Sequence, residues 1–303
     1  MKTYLKTSRL ITTIALLAAP LLFGCSSIPN ASVQTFATGV TAAKSQTDLA
    51  FQAIVDVSSP SIIEYAAAQP KLSDANFLPV LDRQSVATWD EIFTALQKYS
   101  QNLVLLTSPN LTKDYEDAAV GLATEVKQAG DDLKNQKVIS QSPPSSASFA
   151  AAFTELGDLL LKFKAQHDAK AVLLETDPKI KQVFAAMANA IGSSSTNNLR
   201  GTVRANWEQR KDQQKVAFLE AKPPDRPAIA TKYASMLNSE NTQDLALQAL
   251  SRSLLALAEA HHALANNQSA NVSAAVSAVE QQLQNTLMLA DRFQAATKNT
   301  NKN

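Results

Sequence analysis

The residues best suited to chemistry in this chain are its three histidines and the carboxylates near them. Glu259 and His262 lie three residues apart, and on a helix this spacing matches half of a carboxylate-bridged di-metal site. The second half is missing, because the residue three before His167 is Lys164. His167 and His261 fall on apolar helical stripes, and they could share a metal or form a pH-sensitive contact if those stripes met.

Each of these histidine patterns also has a simpler structural interpretation. Glu259 and His262 fit a surface pair on one helix, and a histidine on an apolar stripe is commonly satisfied by a neighbouring carbonyl or carboxylate. For both His167 and His261, the simpler interpretation is a hydrogen bond to such a carbonyl or carboxylate. We therefore expect no metal site and no cofactor.

The sequence offers no motif for catalysis. It contains no GxSxG, SxxK or HExxH pattern and no glycine-rich phosphate loop, and its one cysteine is Cys25. Asp131 and Asp132 are adjacent in sequence, and adjacent residues on a helix do not face each other. These observations predict that the protein is not an enzyme.

The most localised charge in the chain is a basic face between residues 200 and 215. The stretch holds five cations and two acids, and four of the cations share one helix face at spacings of 4, 7 and 4. This basic face consists of Arg200, Arg204, Lys211 and Lys215, with Trp207 at its edge. We expect the four cations to be exposed together and to contact a partner or an anionic surface. The alternative is a solvated flank from which Trp207 turns inward.

The composition limits the classes of protein that remain. Apolar residues make up 45% of the 303 residues, which is enough for a core, and the net charge is +1, from 28 basic and 27 acidic residues. This balance argues against nucleic-acid binding through bulk positive charge. Seven glycines are few for an all-β fold with many glycine turns, and a single cysteine excludes disulfides and CxxC sites.

The N-terminus has the layout of a secretory signal peptide. Lys2, Lys6 and Arg9 form a basic start, and the apolar stretch 10–23 follows. Its 14 residues are too few to span a bilayer core, which needs about 20 residues in a helix. A basic start, a short apolar stretch and a small residue before the cleavage point are typical of a signal peptide. Cys25, the sole cysteine, lies directly after this point.

The residues around the cleavage point resemble the lipobox of bacterial lipoproteins. Leu22 matches the leucine three positions before the cysteine, Gly24 matches the small residue, and Cys25 matches the required cysteine. Phe23 departs from the pattern, which commonly has a small residue there. The resemblance covers only the leader, and the body resembles no known family.

This resemblance implies that residues 1–24 are a signal peptide and that Cys25 carries diacylglycerol, usually with a further acyl chain such as palmitate. Two or three acyl chains hold a protein stably on a membrane where one chain is marginal. In Gram-negative sorting an aspartate after the cysteine retains a lipoprotein in the inner membrane. Ser26 stands there, so the resemblance favours the periplasmic side of the outer membrane. Residues 25–32 are expected to be the lipidated cysteine and a tether.

The body from residue 33 onward shows helical periodicity almost throughout. Apolar residues recur every three or four positions, the stripes are amphipathic, and no strand alternation interrupts them. The stripes span 33–57, 89–106, 111–133, 149–174, 180–191, 199–217, 247–264 and 272–293. Long amphipathic helices with short turns must pack antiparallel. The sequence predicts an all-α fold, an elongated antiparallel multi-helix bundle.

Proline, serine and asparagine clusters predict the boundaries within this bundle. Pro60 should end or bend the first helix, and Asp177-Pro178 should start another, as N-cap and first helical residue. Prolines between 222 and 227 and the turn 266–269 predict two further breaks. The serine-rich stretch 140–148 separates an N-terminal part (33–139) from a C-terminal part (149–297), although one continuous bundle is also possible. Residues 298–303 are expected to be frayed.

These features favour a lipid-anchored envelope lipoprotein that acts as a non-catalytic helical binding or scaffolding module. The expected partners are the membrane, through the acyl chains on Cys25, and an envelope protein or anionic envelope component, with no nucleic acid. The main alternative is a carrier or sensor that binds a small ligand or lipid between helices. An enzyme and a membrane-inserting toxin fit the sequence less well.

Overall fold

A computed structural model describes residues 28–67, 69, 71–77, 79–108, 146–163, 169–192 and 198–300, and part of 120–131. Every regular element among these residues is helical, which confirms the all-α prediction. The helices are α1 (Asn30–Ala67), α2 (Arg83–Leu106), α3 (Ser146–Phe163), α4 (Ala169–Ile191), α5 (Leu199–Glu220), α6 (Arg226–Ala265) and α7 (Ser269–Thr300). Short 3-10 turns occupy Asp74–Phe77 and Pro223–Asp225.

The two longest helices, α1 and α6, run antiparallel with a constant register. Near one end, the rings of Phe36 and His261 lie 5.5 Å apart. In the middle, the Ser253 hydroxyl donates to Gln46 Oε1 at 2.7 Å. Further along, the Gln243 amide donates to the Ala53 carbonyl at 3.1 Å. Helices of 38 and 40 residues are each about 57–60 Å long, so α1 and α6 form a long central pair.

A single hydrophobic core joins helices from before and after the serine-rich stretch 140–148. Phe93 of α2 and Phe184 of α4 are both fully buried in this cluster. Helix α7 packs against α1 and α6. Val276 of α7 lies close to the backbone of α1 at Gly39. A Cβ atom at Gly39 of α1 would lie 3.0 Å from the Val276 side chain and 3.1 Å from the Leu257 side chain of α6, so a larger residue at this position would require these side chains to shift by a few tenths of an ångström.

Two prolines lie inside helices and not at helix ends. Helix α1 continues through Pro60 to Ala67, so it does not end at Pro60. Helix α4 starts at Ala169 and contains Pro178, so Asp177 is not an N-cap. A proline inside a helix removes one backbone hydrogen bond. In α4, this cost is offset because apolar residues on both sides of Pro178 are buried. These residues are Val172, Leu173, Ile180 and Val183.

The ends of the body are more ordered than expected. The tether prediction is wrong for residues 28–32, because Ile28 is buried and α1 starts at Asn30. The Asn30 amide donates to the Val104 carbonyl at 2.9 Å and so fastens the start of α1 to the end of α2. At the other terminus α7 extends to Thr300, three residues into the segment expected to be frayed. The predicted breaks at 222–227 and 266–269 are confirmed.

Candidate functional site

The predicted basic face lies on α5, where α5 and α6 form a hairpin. Arg200 and Arg204 both bind Asp244 of α6. The Arg200 guanidinium donates to the two carboxylate oxygens at 2.5 and 2.7 Å, and the Arg204 guanidinium does so at 2.7 and 3.0 Å. Two bidentate contacts to one carboxylate fix the crossing of the helices at this point.

The two lysines of the basic face are also paired. Lys211 donates to Glu208 at 2.6 Å and to Glu240 of α6 at 2.7 Å, and only 7% of Lys211 is exposed. Lys215 donates to Asp212 at 2.8 Å, and both of these side chains are exposed. The lysines therefore repeat the pattern of the arginines, since every cation of the face has a carboxylate of its own chain.

Trp207 turns inward and joins the hairpin to α1. Its indole N–H donates to Gln243 Oε1 at 2.8 Å, and the Gln243 amide reaches the Ala53 carbonyl of α1. Arg210 stacks on the Trp207 ring, with its guanidinium carbon 4.7 Å from the ring centroid. Trp207 is buried and is thus part of the structural contact between α5, α6 and α1.

These contacts correct the expectation that the four cations are exposed together. Lys211 is buried, Arg200 is mostly covered, and four carboxylates neutralise the four cations. The spacing of residues on α5 reveals the cations but not Glu240 and Asp244. These acids lie on α6 and come near only when the hairpin closes. The basic face is mainly an internal contact, with Arg204 and Lys215 at its exposed edge.

Electrostatics at the hairpin favour the charged forms. Burial alone would lower the pKa of Lys211, but its hydrogen bonds to Glu208 and Glu240 outweigh burial and the pKa is raised. Burial likewise would raise the pKa of Asp244, but hydrogen bonds from Arg200 and Arg204 hold the pKa below its usual range. The ion pairs therefore persist across the neutral pH range.

From residue 212 of α5 to residue 242 of α6 the hairpin has no buried residue. We define the arm as residues 212–242, which comprise the last part of α5, the 3-10 turn and the first part of α6. Each residue of the arm is exposed or half-buried. The arm is thus a two-helix structure without a core of its own.

An apolar groove of about 380 Å³ lies between the two helices of the arm. Leu219 is 76% exposed beside this groove and Phe218 is 37% exposed. The Arg226 guanidinium lies over the Phe218 ring at 5.3 Å. The lining comprises Gln214, Lys215, Phe218, Leu219, Ile229, Ala230 and Tyr233. The groove therefore combines exposed apolar side chains with charged residues at its rim.

The histidine cluster forms a buried hydrogen-bond network at the opposite end of α6. Tyr99 of α2 bonds His261 Nε2 at 2.8 Å and Thr176 of α4 at 2.7 Å. The two oxygens of Asp177 bond Nδ1 of His261 at 3.0 Å and Nδ1 of His262 at 2.8 Å. The order tyrosine–histidine–aspartate resembles a catalytic relay, but the side chains of Tyr99 and His261 are fully buried. The network therefore links α2, α4 and α6.

Burial sets the protonation of this network. It lowers the pKa of His261, although Asp177 acts in the opposite direction, and it raises the pKa of Tyr99. For Asp177, burial would raise the pKa, but the hydrogen bonds of His261 and His262 lower it overall. Asp177 is thus a carboxylate that accepts from two imidazoles. Sequence reasoning missed it because Pro178 suggested a helix start.

The remaining predicted sites have different outcomes. Glu259 lies 3.8 Å from Lys181, and His262 bonds Asp177, so the predicted Glu259–His262 pattern does not form a joint site. The part of the chain that the structure describes has no group of three or more residues that could hold a metal. Cys25 and His167 lie outside the described residues.

Among the described helices, none is both long and apolar enough to cross a membrane. Comparison with known protein families, curated proteins and solved structures gives no match for this chain.

Proposed function

We propose that this protein is a lipid-anchored envelope lipoprotein that acts as a non-catalytic helical binding module. The lipobox-like leader supports an anchor at Cys25, and the most favoured location is the periplasmic side of the outer membrane. Ile28 is already buried in the body. Three residues reach at most about 11 Å, so an anchor at Cys25 would hold the start of α1 against the membrane surface.

The observation that carries the binding role is the arm with its open apolar groove. Tyr233 in the groove and His261, which contacts Phe36 near the start of α1, are 28 residues apart on α6. This spacing corresponds to about 42 Å along the helix. The anchor and the groove therefore lie toward opposite ends of the central helices. Such an arrangement presents the groove to a component away from the anchoring surface.

The occupant that fits this groove best is an amphipathic helix of another envelope protein. A groove between two antiparallel helices accepts a third helix through apolar contacts. Lys215, Asp212 and Arg226 place charges of both signs at or near the groove, which suits a partner with mixed charge. An anionic polymer or head group is less favoured, because carboxylates of the same chain already neutralise the basic face.

The anchor is tested with Cys25→Ser. We expect this variant to lose its acyl mass and its membrane attachment, while its helix content and unfolding midpoint stay unchanged. Intact mass and membrane fractionation measure both effects. A variant that still fractionates with membranes, together with a wild-type protein of unmodified mass, contradicts the anchor.

The arm is tested with a photo-crosslinking amino acid at Leu219 in the native envelope. A matched position is Leu255, which is 42% exposed on α6 and lies outside the arm. We expect one defined crosslinked protein from Leu219 and none from Leu255. The purified partner should then bind the wild-type protein, and Leu219→Glu should weaken that binding while Leu255→Glu leaves it unchanged. Equal crosslinking from both positions, or equal affinity of both variants, contradicts the role of the arm.

The alternative function, a small-ligand carrier or sensor, is supported by a different observation. A cleft of about 190 Å³ opens between α1 and α2, on helices that do not form the arm. Its lining is aromatic and acidic rather than purely apolar.

A further inference from the structure

Three uncharged stretches of the sequence meet at one end of the central helices. Residues 28–43, 99–108 and 263–279 contain no aspartate, glutamate, lysine or arginine, although these residue types make up 18% of the chain. The stretches form the start of α1, the last turns of α2 and the connection from α6 into α7. We call them together the uncharged end. The arm is the opposite case, because residues 212–242 include eight charged residues.

Side-chain contacts bring the three stretches together. The Asn30 amide of α1 donates to the Val104 carbonyl of α2 at 2.9 Å and to the Thr107 hydroxyl at 3.0 Å. On the other side of α1, Val276 of α7 lies against Gly39. Because α6 leads directly into α7, the ends of four helices lie side by side at the uncharged end.

The exposed side chains of the uncharged end are amides, hydroxyls and small or apolar groups. One large apolar side chain, that of Leu105 on α2, is 49% exposed. Charged residues flank the end on α4, where Lys170 and Glu175 are exposed. The surface itself therefore offers hydrogen-bonding groups and apolar area without a charge. Its exposed amides are Gln34, Asn266, Gln268 and Asn271.

We propose that the uncharged end lies on the lipid head groups of a membrane, so that the bundle stands upright and the arm points away. This proposal rests on the proposed anchor at Cys25. Ile28 is buried in the body, and the three residues between it and the anchor reach at most about 11 Å. The head-group layer of one leaflet is about 5–8 Å thick. The acyl chains would therefore hold this end, and not the arm, at the head groups.

Desolvation gives a physical reason for the lack of charge. A charged side chain loses a large hydration free energy when it leaves water, whereas an amide or a hydroxyl loses much less and can bond the oxygens of lipid head groups. Leu105 can bury apolar area in the same layer. An uncharged surface does not discriminate between zwitterionic and anionic lipids, so we expect the same contact on both.

Fluorescence quenching on vesicles tests the contact. The lipidated full chain is placed in phosphatidylcholine vesicles that contain a lipid with a nitroxide on its head group. A thiol-reactive fluorophore is attached at Gln268→Cys, since lipidation blocks the thiol of Cys25. Controls carry the fluorophore at three exposed positions away from the end, namely Ser45→Cys on α1, Leu255→Cys on α6 and Asn238→Cys in the arm.

We expect severalfold stronger quenching at position 268 than at any of the three controls. Ser45 is a strict control, because it lies about 22 Å along α1 from Asn30. A chain that floats with the vesicles but is quenched equally at 268 and at a control position overturns the upright contact and leaves the anchor intact. A chain that does not float with the vesicles overturns the anchor, and this proposal with it.

A charge placed in the contact provides a second test. Ala270 is exposed in the first turn of α7, where an acidic residue suits the helix dipole and should not disturb folding. On vesicles that contain phosphatidylglycerol, Ala270→Glu should reduce the quenching at position 268 about twofold, because one charge near an anionic surface contributes an interaction of this order. Ala228→Glu is the matched change in the first turn of α6, within the arm, and should leave the quenching unchanged. Equal quenching in both variants overturns the proposal.

Discussion

The two halves of α6 belong to one continuous helix but have opposite environments. Residues 243–265 bury fifteen side chains, whereas residues 226–242 bury none. We call residues 243–265 the core half of α6 and residues 226–242 its arm half. The core half depends on packing, which contributes about 25 cal/mol per Å² of apolar area removed from water. The arm half depends on exposed contacts, and surface ion pairs typically contribute less than about 1 kcal/mol. The difference indicates that the core half specifies the fold and that the arm half is available for binding.

Polar side chains show the same contrast. In the core half, His261 and Ser253 are fully buried, and each has its hydrogen-bond partners. No buried side-chain nitrogen or oxygen among the described residues lacks a partner. Such satisfied groups are costly to disturb, because a lost partner leaves a desolvated polar atom. At the exposed side chains of the arm, water can replace a lost partner.

The largest expected effect is at the buried histidine. His261→Ala should destabilise the protein by about 3–4 kcal/mol, because it creates a cavity and leaves Tyr99 and Asp177 without their shared partner. His262→Ala removes the neighbouring residue, which bonds the same carboxylate but is half-exposed, and should cost less than about 1 kcal/mol. Chemical denaturation measures both. Similar losses of stability in the two variants would contradict the prediction that a buried partner of Asp177 contributes more than an exposed one.

The second prediction concerns pH. The pKa of His261 is lowered by burial, so below the ordinary value of about 6.5 the unfolded chain takes up a proton that the folded protein resists. Stability should therefore fall as the pH drops below 6.5, with a slope of at most about 1.4 kcal/mol per pH unit for this group. Asp177 acts in a lower range, because its lowered pKa makes a contribution that is lost only below about pH 4.

Urea titrations between pH 7.5 and pH 5 measure this slope, and His261→Gln provides the control. The glutamine does not titrate, so the slope should decrease in the variant even if the variant is less stable overall. An identical slope in both proteins would assign the pH dependence to other groups.

The third prediction is smaller and concerns the base of the arm. Lys211→Ala should cost about 1–2 kcal/mol, because it leaves the mostly covered carboxylate of Glu240 without its cation. Lys215→Ala removes an exposed lysine from the same face and should leave the unfolding midpoint unchanged. Thermal unfolding of the two variants measures both losses of stability. Equal losses would mean that the whole basic face is structural.

The smallest effect on stability is expected within the arm. Leu219→Ser should change stability by less than about 0.5 kcal/mol, since the side chain is 76% exposed. Leu254→Ser, on the buried stripe of α6, is the matched change in the core half and should cost several kcal/mol. A large loss in Leu219→Ser would show that the arm is part of the core.

The sequence predicts local features of the fold well, because they depend on neighbouring residues. The stripe 247–264 and the turn at 266–269 follow from apolar spacing and from asparagine, and both are present. The prolines are harder to interpret. Pro178 disfavours helix locally, but the packing of residues on both sides of it decides the outcome.

The candidate site was less predictable, because its contacts join distant parts of the chain. Asp244 lies 44 residues after Arg200, and Asp177 lies 84 residues before His261. Periodicity assigns a residue to a face of its own helix and does not say which helix covers that face. The spacing therefore predicts an exposed basic face and gives no sign of the exposed groove around Leu219.

Thiol labelling tests the central claim that the arm is covered by a partner in the envelope. Cys25 is the only native cysteine, and lipidation would block its thiol, so Leu219→Cys and Leu255→Cys each introduce a single reactive group. In the purified protein both thiols should react with a maleimide, and these two rates are the references for the envelope. In native envelopes the thiol at 219 should react severalfold more slowly, while the thiol at 255 keeps its rate. Unchanged labelling at both positions would contradict the account.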